Sequence, residues 1–140
     1  MGRVMAIDYG RVRVGLAVTD PERIIATALT TIPTADTMRY ISDYCSHEKV
    51  DVFVVGDARH LDGTPSESAL LIEPFVENLK KQFPNCEVAR VDERFTSKIA
   101  FQTIIDSGLR RKQRRDKGMV DQIAATIILQ DYLSTIRNRK

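Results

Sequence analysis

Tryptophan is absent, cysteine and histidine occur twice each, and aromatic residues make up only 6% of the 140 positions. Each shortage excludes something. Cys45 and Cys86 show no metal-ligand spacing and are too few for a disulfide framework, so a reduced, cytoplasmic setting is expected, with both thiols as core filling. His47 and His60 are isolated, and no Ser/His or Cys/His constellation for nucleophilic catalysis is visible. With few aromatics to stack on bases, any nucleic-acid contact is expected mainly at phosphates. No run approaches the roughly 20 apolar residues of a membrane span and no charged-then-apolar leader opens the chain, so no membrane association is expected. Repeats and low-complexity segments are missing too. One domain over residues 1–140 is expected, long enough to bury roughly two-thirds of its surface.

Charge is small in total and uneven in place. The formal net charge is +2, yet residues 1–109 carry 12 basic against 16 acidic side chains, and residues 110–140 carry 9 against 3. Most of the excess lies in Arg110, Arg111, Lys112, Arg114, Arg115 and Lys117. A patch of this density attracts polyanions, nucleic acid being the usual one; the plain alternative is a solvated loop.

An aspartate ends the first apolar run. Val4 to Ile7 reads as a buried strand, Tyr9 to Arg13 as a loop in which Gly10 can take positive φ, and Val14 to Val18 as the returning strand of a hairpin. Asp8 therefore sits where a core strand emerges, and a charge there needs a partner, a metal or an Asx turn to justify it.

Further along, Ile24 to Ile32 reads as a third strand closed by Pro33, and Thr34 to His47 as a helix on the spacing of Met38, Ile41 and Cys45. Val52 to Val55 is a fourth strand ending at Gly56-Asp57. Thr64-Pro65-Ser66-Glu67 is a capping box opening a second helix to about Phe83, with Leu71, Phe75 and Leu79 as its stripe, Ile72 and Val76 beside it, and Pro74 expected to kink or delay it. Cys86 to Val91 is a fifth strand ending at Asp92-Glu93-Arg94. Thr96 or Ser97 can cap a short helix to Ser107, and a last helix runs from about Asp116 to Ile136.

Three strands in a meander followed by helix-linked strands imply a mixed five-stranded sheet with helices on both faces. Strands one, four and five then run the same way, and their ends at Asp8, Asp57 and Asp92-Glu93 share the edge where α/β proteins place their sites. In the last helix Asp121, Ala125, Ile128 and Tyr132 share a face, with Asp121 as the charge at its start. A first-turn acid complementing the helix dipole is the plain alternative for Asp121, and Asp116 suits an N-cap.

These residues resemble a known family. Asp8-x-Gly10-x-x-Arg13-x-Gly15-x-Ala17, Leu61-Asp62-Gly63-Thr64, Asp92-Glu93-Arg94-x-Thr96-Ser97-x-x-Ala100 and Lys117-x-x-x-Asp121-x-x-Ala124-Ala125 look like the YqgF/RuvX family, over nearly the whole chain. These are RNase H-like nucleases similar to RuvC Holliday-junction resolvases, described as resolvases and as pre-16S ribosomal RNA nucleases. The resemblance implies an RNase H-like α/β fold with strand order 3-2-1-4-5 and an acidic site of Asp8, Glu93 and Asp121. It also implies a nucleic-acid substrate, pre-16S rRNA or branched DNA, and work near ribosomal particles. A monomer or weak homodimer is expected.

Two departures stand out. Val12 replaces a frequent basic or small polar residue, and Gly56-Asp57-Ala58 replaces the usual Gly-Leu-Pro. Adjacent strands lie about 4.8 Å apart, so Asp57 on strand four should approach Asp8 directly, whereas Glu93 must reach back from one strand further. Glu93 is the expected ligand because its block is otherwise intact, and Asp57 stays a candidate extra one.

Carboxylates with several water positions suit Mg²⁺ or Mn²⁺, which would activate water for phosphodiester hydrolysis without a protein nucleophile. Arg13, Arg94 and Lys117 are expected to hold the scissile or flanking phosphates, and Arg110, Arg111, Arg114 and Arg115 the substrate backbone. Two other classes stay open. A non-catalytic RNA-binding ribosome-assembly factor would keep the basic patch without converging acids. An ATP-binding module is suggested by the Asp-x-Gly hairpin alone.

Overall fold

In a computed structural model the described backbone comprises residues 2–57, 67–92 and 117–137, with side chains described over 2–56, 70–91 and 122–136. The chain forms β1 (Arg3–Tyr9), β2 (Arg13–Thr19) and β3 (Ala26–Pro33), then a 3₁₀ turn at Thr34–Asp36 leading into α1 (Thr37–His47). β4 (Val50–Asp57), α2 (Glu67–Gln82), β5 (Glu87–Asp92) and a long helix, α3 (Lys117–Arg137), follow. The sheet order is β3-β2-β1-β4-β5, as the sequence implied. β1 pairs antiparallel with β2 and parallel with β4, and β5 lies parallel beyond β4.

β1 is central and covered on both sides, which explains its unbroken apolar run; Val4, Met5, Ala6 and Ile7 are all fully buried. Alternation along the strand then divides the core in two. Met5, Ile7, Leu16, Phe53 and Val55 pack with Ile41 of α1 and with Ile72, Phe75, Val76 and Leu79 of α2. Val4, Ala6, Ala17, Val54 and Val91 pack with Ala125, Ile128, Leu129 and Tyr132 of α3. The expected inward set Ala125, Ile128 and Tyr132 is thus the buried one.

Two local expectations are corrected. The chain at Ile24 and Ile25 is a turn rather than strand: Asp20 Oδ1 accepts both of their N–H groups at 2.8 Å, and Arg23 takes φ 60°. β3 consequently starts at Ala26. In α2 the buried stripe is Ile72, Phe75, Val76 and Leu79, while Leu71 turns partly outward at 37% exposure. Pro74 lies inside α2, whose helical backbone runs from Glu67 to Gln82. The carbonyl that loses its partner belongs to Leu70, in an exposed turn where water can serve it.

The direction of α3 positions the site. Gln130, Leu133 and Ser134 line a hollow with Ile24, Ile25 and Ala26. Ala26 pairs with Thr19, whose hydroxyl accepts the Val4 N–H at 2.9 Å, so this hollow marks the end of the sheet where β1 begins. The C-terminal half of α3 lies there, and its N-terminal end runs toward the end where Asp8 emerges.

Candidate active site

Asp8 is the penultimate residue of β1, half-buried, and has the parity of Val4 and Ala6, the face covered by α3. Directly across on β2 stands Gly15. On the other side Ile7 pairs with Val55, which brings Asp8 level with Gly56 of β4. Both glycines are buried. With no Cβ on either neighbour at its level, the carboxylate has lateral room that any larger residue would fill. Two residues before Gly15, and so on the same face, is Arg13, a diagonal neighbour of Asp8 with Cβ atoms about 7–8 Å apart in such pairs. A carboxylate and a guanidinium thus share the open end of an otherwise apolar face, the types of group that can hold a cation and a phosphate.

The loop between them is held from β3. The Thr34 hydroxyl donates to the Gly10 carbonyl at 2.7 Å, and the Thr34 N–H donates to the Val12 carbonyl at 3.1 Å. Gly10 is needed for a different reason from the one expected. Its φ lies outside the left-handed range, but a Cβ there would stand 2.6 Å from the Arg13 carbonyl oxygen. Close approach of the backbone, not positive φ, demands glycine. Val12 is exposed at the tip. Thr34 carries no periodicity or motif by which sequence could single it out.

The register corrects the expected approach of Asp57 to Asp8. Asp57 pairs with Asp92 at the ends of β4 and β5, and both positions have the parity of Val55 and Arg90. Arg90 declares which face that is through its 2.9 Å ion pair with Glu73 of α2. Asp8 has the opposite parity. The Asp8 and Asp57 positions share one edge of the sheet and differ in strand parity.

Tyr9 follows Asp8 and belongs to that other side. Its ring stacks on Phe75 of α2 at 4.4 Å between centroids, and burial raises the phenol's pKa. An open groove of about 540 Å³ between α1 and α2 is lined by Tyr9, Met38, Leu71, Phe75, Asn78 and Lys81 among others, with no carboxylate in its lining among the described residues. It is therefore not the acidic site.

Of the other expected site residues, Asp121 and Lys117 lie in the α3 backbone, Asp121 one turn before the buried Ala125. Glu93, Arg94, Arg110, Arg111, Arg114 and Arg115 lie outside the described residues, as do the capping box and the short helix expected after Thr96. No group of three or more His, Cys, Asp or Glu side chains poised for a metal occurs among the described residues.

A family model described as RuvX, Holliday junction resolvase, matches residues 2–135. The chain belongs to this family. A protein of Flavobacterium johnsoniae, provisionally named a pre-16S rRNA nuclease, is 53% identical over 98% of this chain and 99% of its own. A Flavobacterium psychrophilum protein of the same provisional name is 52% identical over 96% and 98%. One from Porphyromonas gingivalis is 50% identical over 95% and 96%. Among solved structures, YeaZ from Pseudomonas aeruginosa overlaps 77% of this chain and 50% of its own at TM-score 0.48 and 14% identity, a likeness too slight to add to the topology above. The family description and the relatives' names agree on one reaction class, nucleic-acid phosphodiester hydrolysis.

Proposed function

We propose that this chain is a divalent-metal-dependent endonuclease acting in the cytoplasm on the precursor of 16S rRNA. The observation that carries the reading is Asp8, a half-buried carboxylate ending the central strand on the α3 face, between two glycines and diagonal to Arg13. Asp8, Glu93 and Asp121 would hold Mg²⁺ or Mn²⁺, hard ions that favour oxygen ligands. The donor chemistry fits, and the slot beside Gly15 and Gly56 is the sort of space a hydrated cation requires.

Two arguments support the other acids. Glu93 stands directly after the end of β5, in the otherwise intact block Asp92-Glu93-Arg94-x-Thr96-Ser97 that resembles the family pattern. Asp121 lies twelve residues before Leu133, about 18 Å along a helix. The strand distance from the Ile25 level to Asp8 is about 17 Å, so the two ends match.

When bound, the metal supplies a lowered water pKa and stabilises the leaving oxygen. Arg13 orients the phosphate over Asp8. Thr34 and Gly10 hold the loop that carries Arg13 at its working distance. Arg94, Lys117 and the segment Arg110, Arg111, Arg114 and Arg115 grip flanking phosphates, a sequence-independent hold that suits RNA and branched DNA alike.

The test is cleavage of two matched substrates, a precursor rRNA end and a four-way DNA junction, with Mg²⁺, with Mn²⁺ and with EDTA. Metal-dependent cleavage of the RNA above that of the junction is expected. Preference for the junction would replace the RNA with branched DNA as substrate. Tight binding without cleavage under any metal would make the chain a non-catalytic assembly factor.

A further inference from the structure

The two edges of the sheet differ in a way the nuclease reading does not use. β5, at one edge, carries Glu87, Arg90 and Asp92, three charges in six residues. Charges of this kind are how proteins stop an edge strand from pairing with another chain. β3, at the other edge, is eight residues long, Ala26-Thr-Ala-Leu-Thr-Thr-Ile-Pro33, with no charge at all. Among the described residues no strand lies on its outer side. Thr27 and Ala28 are exposed. Beside its start stand Ile24 and Ile25, 57% and 63% exposed, lining a hollow of about 380 Å³ with Ala26 and Leu133.

We propose that β3 is a self-association edge, pairing antiparallel with β3 of a second copy of this chain about a two-fold axis. The absence of charge is what favours a second copy over a foreign strand. Across a two-fold axis each edge meets itself, so any net charge on it would face its like, and β3 has none. Antiparallel pairing about the axis sets uncharged side chains opposite uncharged ones along the whole strand, and the isoleucines bury apolar surface on the α3 side. The size sets the strength. Eight residues span about 27 Å, and an interface one strand wide over that length falls below the roughly 1,200 Å² of a stable complex, so association is weak.

The pairing also fixes where the active edges go. β3 runs parallel to β1, since each is antiparallel to β2. In the pair the two β1 strands are therefore antiparallel, about five strand spacings or 24 Å apart, and their Asp8 ends point in opposite directions. The copies cannot share one site. Cleavage per chain is expected to be independent of the dimer.

Sedimentation velocity on the full chain tests this, together with hydrogen exchange along β3 at rising concentration. The wild type is expected to move from 15.8 kDa toward twice that mass, with β3 amides exchanging more slowly as it does so. The double variant Thr27→Lys/Ala28→Lys should stay monomeric with unchanged thermal midpoint and unchanged cleavage per chain. If that double variant fails to fold, Thr27→Lys alone serves. A wild type that stays monomeric up to about 1 mM overturns the proposal. So does a dimer that survives the lysines, or one whose β3 amides exchange no more slowly than in the monomer.

Discussion

Asp8 and Tyr9 are neighbours in one strand and meet opposite surroundings. Asp8 opens on the α3 side, where Gly15 and Gly56 leave room and Arg13 stands diagonally across. Tyr9 closes the α1/α2 side, stacked on Phe75 above an apolar core. A pleat of period two converts one residue of sequence into a change of surroundings, from an open polar end to a packed apolar face. The same rule divides the acids of this edge. Asp8 stands on one side, the Asp57 and Asp92 positions on the other, and strand-end counting alone cannot tell them apart.

Substituting Glu93 and Asp57 in turn carries the largest expected effect. Glu93→Gln should lose nearly all metal-dependent cleavage, whereas Asp57→Leu should keep at least about a tenth of it, the cost appearing first in metal affinity rather than in maximal rate. Activity titrated against Mg²⁺ and Mn²⁺ for both variants checks this. A dead Asp57→Leu beside an active Glu93→Gln would make Asp57 the second essential acid in place of Glu93.

Substrate grip comes next in size. Replacing Arg110, Arg111, Arg114 and Arg115 with alanine should weaken binding similarly across sequences and make the log–log salt slope shallower by up to roughly 0.7–0.9 for each phosphate no longer neutralised. Binding isotherms at a series of salt concentrations measure both, and an unchanged slope would leave the segment a solvated loop.

The loop between the faces is a finer probe. Gly10→Ala sets a Cβ against the Arg13 carbonyl, so we expect a loss of about 1–3 kcal/mol by thermal denaturation. Displacing Arg13 should also lower cleavage by roughly tenfold, more than stability alone explains. Thr34→Val, which removes only the hydroxyl bond to Gly10, should do the same more mildly.

The smallest effect lies at the far end of the sheet. Burial, aided by the neighbouring Cys86 thiol, pushes the Cys45 thiol from 9.0 up to about 11. A raised acid favours its neutral form in the folded state. The contribution is therefore complete below pH 9 and fades as the pH climbs toward 11. Cys45→Ala should flatten the fall of thermal midpoint across that window and leave cleavage alone.

Much of this was legible before the structure. The mixed sheet and its strand directions followed from the alternation of elements, because helix-linked strands must run parallel, the strand order came from the family resemblance, and the inward face of α3 followed from the spacing of Ala125, Ile128 and Tyr132. What escaped depended on three dimensions. Gly10 is required by a carbonyl three residues on, not by its own φ. Ile24 and Ile25 looked like strand until Asp20 took their amides. Leu71 and Ile72 are adjacent and both apolar, so only packing could choose between them. The slot beside Asp8 exists because two glycines distant in sequence arrive at one level. No pattern along the chain announces that.

Whether chemistry and packing divide between adjacent residues is decided by cleavage rate and thermal midpoint for Asp8→Asn and Tyr9→Leu side by side, under saturating Mn²⁺ and without metal. Asp8→Asn should abolish cleavage while its metal-free midpoint holds or rises slightly. Tyr9→Leu should keep cleaving but lose about 1–2 kcal/mol of stability with the stack on Phe75. A folded Asp8→Asn protein that cleaves at the wild-type rate would refute the assignment of Asp8 to the metal site.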